Sequence, residues 1–108
     1  MLGRVGNVLK NASNKIIRVE GHTDDVPINP RLQQQFPTNW ELSAARAVHV
    51  VRFLQEQVGI APERLQAIGL SEYQPMASNK TISGRSRNRR IEITLLPELA
   101  GEQQKAAK

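Results

Sequence analysis

Between Asn39 and Val58, the residues Ala44, Ala47, Val48, Val51, Leu54 and Val58 recur at helical spacing, which gives one long helix an apolar stripe that must be buried. Both ends of that helix are marked. Thr38 and Glu41 stand at capping-box spacing, the hydroxyl meeting an orphan amide and the carboxylate reaching back to the cap, while Gly59 supplies the stop. Upstream, Ile16–Glu20 alternates as a strand with Ile17 and Val19 on one face, and Gly21 lets the chain turn. Pro27, Pro30 and Pro37 then predict an extended loop without helix over residues 22–37. A strand, a long loop and a helix whose stripe needs a sheet point to an α/β architecture.

The remainder fits that plan. Leu2, Val5, Leu9 and Ala12 suggest a short amphipathic helix over residues 2–12, weakened by Gly3 and Gly6 and broken at Asn14. After Pro62 opens a helical turn, Leu65–Leu70 reads as a second strand, residues 71–83 as a polar loop, and the arginine-rich Ser83–Arg90 as a short helix. Ile91–Leu95 alternates as a third strand, with Ile91, Ile93 and Leu95 on one face, and Pro97 ends it. The expected fold is therefore a two-layer sandwich, a small mixed sheet covered by helices on one face. One domain spans residues 1–96, and residues 97–108, poor in apolar side chains, are expected to form a flexible tail.

Composition narrows the function classes. A chain of 108 residues with 39% hydrophobic and 23% charged residues is an ordinary globular domain, and only 4% aromatic residues leave the core to aliphatic side chains. The net charge of +5 suits a polyanionic partner, whether nucleic acid, anionic membrane or a carboxylate-rich wall polymer. The absence of cysteine removes disulfides and thiolate metal sites. No window approaches the roughly 20 apolar residues of a membrane span, and the N-terminus lacks the apolar run of a secretion signal. A helix that begins at the second residue suggests a piece cut from something longer.

Asp24 and Asp25 follow the first strand, and three chemistries compete for them. A glycosidase needs two carboxylates set roughly 5–9.5 Å apart across a bond, which sequence neighbours rarely achieve. A metal site needs at least three convergent ligands, and the second histidine, His49, lies on the helix away from His22. The third is an ammonium receptor; the plain alternative is a pair of solvated turn residues. Arg46 lies on the helix flank with Leu42, His49 and Phe53, away from the main stripe, so its planar fork is free for a carboxylate. Asp24 and Arg46 together would hold a zwitterion. Trp40 reads as a core or loop anchor, and His22 as a residue with a fixed hydrogen bond in its loop rather than a catalyst. The arginines at 85–90 lack the interleaved aromatics of a nucleic-acid patch, and pairing with Glu20, Glu41, Glu92 or backbone carbonyls accounts for them better.

Four blocks, Val19–Asp24, Asn39 with Leu42–Ala47, Asn79–Thr81 and Gly84–Glu92, resemble the signature of the OmpA-like peptidoglycan-binding domain over residues 16–96. Within it, His22–Ile28, the long loop and Asn39–Ser43 are most similar to the MotB-type flagellar stator branch. The resemblance implies non-catalytic binding of the peptidoglycan stem peptide through diaminopimelate, without a metal or cofactor. It assigns Asp24 and Arg46 to the ligand's charges, and Thr23, Asn39, Leu42, Asn79 and Arg89 to supporting positions. It further implies a periplasmic domain of an inner-membrane protein, with a MotA-type partner reached through a transmembrane segment and a homodimeric state, and no nucleic acid. An outer-membrane wall tether of the porin or lipoprotein branch is the alternative within the family; a wall hydrolase or a basic nucleic-acid module are alternatives outside it. Two departures accompany the match: the family's first strand has no counterpart before Leu2, and Ser71 and Asp25 replace a usual glycine and a frequent asparagine.

Overall fold

The computed structural model describes residues 2–12 and 15–97. Along the chain run α1 (Leu2–Asn11), β1 (Ile16–His22), α2 (Asn39–Phe53), β2 (Leu65–Gly69), α3 (Ile82–Asn88) and β3 (Arg90–Leu96). The strand order is β2-β1-β3, with β1 parallel to β2 and antiparallel to β3. The mixed sheet and its helical layer match the architecture expected from the sequence. Among the described residues no strand precedes α1, and the outer edge of β3 has no partner strand. Asn14 and most of the expected tail, residues 98–108, lie outside the described residues.

Alternation along β1 divides the sheet. Ile17 and Val19 are fully buried and join Leu9, Ala47, Leu54 and Ile60 in the core beneath α2, whereas Arg18, Glu20 and His22 belong to the opposite face. The parallel β1–α2–β2 unit is held at unusually short range. Gly21 and Gly69 are register partners on adjacent strands, and the backbone of α2 rests on both. A Cβ at Gly69 would stand 2.6 Å from the Ala44 amide nitrogen, and one at Gly21 would overlap the Ser43 carbonyl. Gly21 thus serves close approach, not the turn expected of it.

This seating rotates the buried face of α2. Asn39, Ser43 and Ala47 are buried, while Val48, expected in the stripe, is 45% exposed, and Phe53, expected on the far side, packs against the core. The helix also ends differently from its periodicity. Its last turn, Leu54–Val58, widens to a π-helical turn closed by Gly59 at φ 85°, which returns Ile60 to the core. α1 packs there through Gly6 and Leu9; Gly6, a helix-weakening residue on propensity, is the contact itself, since a Cβ would lie 2.5 Å from Val58. The orphan carbonyls of Leu9 and Ala12 at its end accept from the Arg64 guanidinium at 3.0 and 2.6 Å.

Local signals set the remaining boundaries. β1 runs on to His22, and the loop expected to lack helix contains a single 3₁₀ turn, Pro30–Leu32, capped by the Asn29 side chain. Thr81 caps α3 by accepting from the Gly84 amide at 2.9 Å. The capping box of α2 is complete: Thr38 Oγ1 accepts from the Trp40 amide at 3.1 Å, and Glu41 accepts from the Thr38 amide at 2.7 Å. The Thr38 hydroxyl, and after it the Thr38 amide, hold the Glu41 carboxyl below its ordinary value of 4.5. A pKa depressed on folding means that the cap's contribution is whole above that ordinary value and is lost as pH falls through the lowered one. Thermal melts of wild type and Glu41→Gln should therefore differ most near neutral pH and converge in acid, the neutral amide keeping a pH-independent cap. A gap that stays constant into acid would contradict the assignment.

Candidate functional site

The end of β1, the long loop and the first turns of α2 enclose a cavity of about 290 Å³. Val26, Pro27, Ile28, Leu32, Phe36 and Leu42 form its apolar walls, and Thr23, Asp24, Asn39, Arg46 and Arg89 its polar groups. Six of the seven residues singled out from sequence, all but Asn79, thus meet in one place. Asn79 instead ties the loop before α3: its Oδ1 accepts from Asn88 at 2.7 Å and its carbonyl from Arg85 at 2.9 Å.

Asp24 is 6% exposed, and both carboxylate oxygens are oriented. Oδ1 accepts from the Val26 amide at 3.0 Å, closing a turn typical of aspartate, and Oδ2 accepts from Arg89 Nη1 at 2.6 Å. That ion pair joins residues 65 positions apart; the resemblance puts Arg89 among the supporting positions but does not pair it with Asp24. Asn39 acts as a latch: its Nδ2 lies 3.3 Å from the Asp24 carbonyl, 3.2 Å from the Val26 carbonyl and 3.3 Å from Glu72 Oε1. Thr23 donates its hydroxyl to the Asp24 carbonyl at 2.8 Å, and its amide to Ser71 at 2.9 Å. Ser71 has φ 57°, a left-handed conformation that explains why glycine suits this position in the resembling family.

Arg46 projects from α2 into the same cavity, half-buried, and makes no hydrogen bond or ion pair among the described residues. It is the uncommitted cation of the site. Asp24 and Arg46 put opposite charges on the walls of one small pocket, with Arg89 fixing the acid and leaving its remaining lone pairs available. Asp25, by contrast, is exposed and is not among the residues that line the pocket.

The other singled-out residues fall elsewhere. Trp40 is 48% exposed, so of its two expected roles the core one does not hold, and its ring packs 5.4 Å from that of Tyr73, in the loop after β2, at 35°. Arg85, Arg89 and Arg90 are engaged within the domain, Arg90 with Glu92 and with the Gln74 carbonyl at 2.9 Å. Hydrogen bonding from Arg90 holds the Glu92 carboxyl below its ordinary range. His22, now at the strand end, faces Glu20 at 3.4 Å. No helix among the described residues is long and apolar enough to cross a membrane.

A three-stranded mixed sheet with helices packed on it carries a charged pocket where its central strand meets a capped helix, the architecture of an α/β domain with a candidate ligand site at a strand end. The chain belongs to the OmpA family, whose family model matches residues 1–89. Motility protein B of Bacillus subtilis is 41% identical over 98 residues, which cover 91% of this chain and 36% of that protein. This chain therefore spans about a third of that relative. The structure of a putative MotB-like protein from Desulfovibrio vulgaris superposes with a TM-score of 0.81 at 37% identity, covering 90% of this chain and 58% of that one. The cell wall anchor of the type VI secretion system of Pseudomonas aeruginosa gives a TM-score of 0.77 at 39% identity, covering 90% of this chain and 64% of that one.

Proposed function

We propose that this domain binds peptidoglycan without cleaving it, and that the ligand is the stem peptide carrying diaminopimelate. The observation that carries this reading is the pairing of a buried, oriented carboxylate, Asp24, with an uncommitted guanidinium, Arg46, across one cavity of about 290 Å³. Asp24 takes the ammonium of the diaminopimelate side chain and Arg46 its carboxylate; Thr23, Asn39 and Arg89 hold the acid and its loop, and Leu42 packs against the methylene stem. A cavity of that size suits one zwitterionic end and its aliphatic linker. Asn79 contributes at one remove, through the loop before α3.

In the parent protein the domain anchors a flagellar stator to the wall from the periplasmic side of the inner membrane. A transmembrane segment elsewhere in that protein pairs with a MotA-type subunit, and the wall-binding unit is a homodimer. The similarity to motility protein B and to a wall anchor supports this placement. Purified sacculi should co-sediment the wild-type domain. Asp24→Ala and Arg46→Ala should each weaken binding by about tenfold or more, the loss of a charge-assisted contact. Equal binding by wild type and both variants would refute the reading.

A further inference from the structure

On the sheet face opposite α2, Glu20 of β1 and Glu92 of β3 are register partners, so two carboxylates stand directly across an antiparallel ladder. Like charges in that arrangement repel. His22, two residues along β1 on the same face, points its Nε2 between them, 3.4 Å from Glu20 Oε1 and 3.9 Å from Glu92 Oε2. One donor atom from each of the three residues lies within 4.8 Å of the others. The imidazole is 3% exposed, yet its only partner among the described residues is the long contact to Glu20, and Nδ1 has none. With its one hydrogen bond as long as 3.4 Å, the buried ring leaves Nε2 available to a stronger partner held between the two carboxylates. We propose that Glu20, His22 and Glu92 form a binding site for a divalent transition-metal ion of the zinc class, separate from the pocket at Asp24 and independent of what that pocket binds.

Donor chemistry and spacing both support the assignment. One imidazole nitrogen and two carboxylate oxygens are a set that zinc accepts, whereas calcium and magnesium demand more oxygens and no nitrogen. Donors about 2.0–2.1 Å from a tetrahedral ion stand roughly 3.3 Å apart. The His22–Glu20 separation already matches, and the Glu92 carboxylate, 3.9 Å from Nε2 on a side chain 46% exposed, must turn to complete the set. Arg90 bonds Oε2 of Glu92 and is itself fixed to the Gln74 and Asn88 carbonyls, so Glu92 would ligate through its other oxygen, Oε1, while Arg90 orients the carboxylate. Coordination through Nε2 leaves the ring proton on Nδ1 without an acceptor, which sets the affinity about 10–100-fold below that of a fully supported site. Sequence reasoning missed the cluster because it sought a second histidine; Glu92 enters only through the β1–β3 register.

The test is calorimetric titration of the full chain with zinc chloride, alongside melts over a zinc series and a calcium control. The result expected is one saturable zinc ion per chain and a Tm that climbs with the logarithm of free zinc, with no response to calcium. Glu92→Gln and Glu20→Gln should each weaken zinc binding by about tenfold or more while still folding, whereas His49→Ala, which removes the other histidine, should change nothing. His22→Ala, should it fold, should abolish binding. Absence of saturable binding at millimolar zinc, or binding unchanged in both glutamine variants, would overturn the site.

Discussion

Gly21→Ala is expected to lower the stability of this domain by about 4 kcal/mol or more, a large share of the roughly 5–15 kcal/mol that a domain possesses. The added methyl group would overlap the Ser43 carbonyl oxygen and stand 2.9 Å from its carbon, so the obstacle is helix backbone and has no rotamer by which to yield. Overpacking against movable side chains costs about 1–3 kcal/mol; here α2 itself must lift. Lifting also breaks the bond from the Ser71 amide to Ser43 Oγ, 3.0 Å long and buried, at about 1 kcal/mol more. A fall in Tm of about 16 °C or more should appear in circular dichroism melts. The same substitution at Gly3 meets nothing within 4 Å and should instead stabilise slightly through helix propensity. A Gly21→Ala variant that melted within a few degrees of wild type would mean that α2 does not rest on the strand.

That contact also sets the geometry of the pocket. β1 carries Asp24 beyond its end and α2 carries Asn39, Leu42 and Arg46 in its first turns, so the distance between acid and base is fixed by how closely the two backbones approach. The glycine pair Gly21 and Gly69 permits that approach, and the buried Asn39 and Ser43 are its consequence. Their polar groups are answered by the strand end and loop, through the Asp24 and Val26 carbonyls and the Ser71 amide.

Elements whose signals are local could be read from the chain: the Thr38 and Glu41 cap, the Gly59 stop, the three prolines, and the alternation of Ile17 and Val19. Features that depend on which strands become neighbours could not. Gly21 reads as a turn until β2 brings Gly69 beside it, and Glu20 and Glu92 read only as partners for the arginines until the β1–β3 register sets them opposite each other. The buried face of α2 departs from its apolar stripe for the same reason. Apolar periodicity takes the sheet to be uniformly apolar, whereas the helix start packs on glycines and a polar strand end, so Asn39 and Ser43 are buried in place of Val48. Six of the seven expected site residues came together because resemblance carries tertiary information that periodicity lacks; the Arg89–Asp24 pair lay beyond both.

Replacing Asn88 should produce the second large loss. Its side chain is fully buried and spends its whole capacity on one loop: Oδ1 accepts from the Met76 and Ala77 amides at 2.9 and 3.0 Å, and Nδ2 donates to the Ala77 carbonyl at 2.9 Å and to Asn79 Oδ1 at 2.7 Å. Asn88→Ala strands two amides and a carbonyl, each worth about 1 kcal/mol or more, and leaves a void, so a loss of about 3–4 kcal/mol and a Tm lower by about 12 °C or more are expected. Asn88→Asp preserves the shape and should fare no better, because a carboxylate would face the Ala77 carbonyl and Asn79 Oδ1 in place of a donor. If Asn88→Asp were instead well tolerated, the role of this side chain would be packing alone. The next residue is Arg89, whose guanidinium orients Asp24, so sacculus binding by Asn88→Ala should fall even at temperatures where the variant remains folded. Arg87→Ala, an exposed change in the same helix, should leave both stability and binding intact.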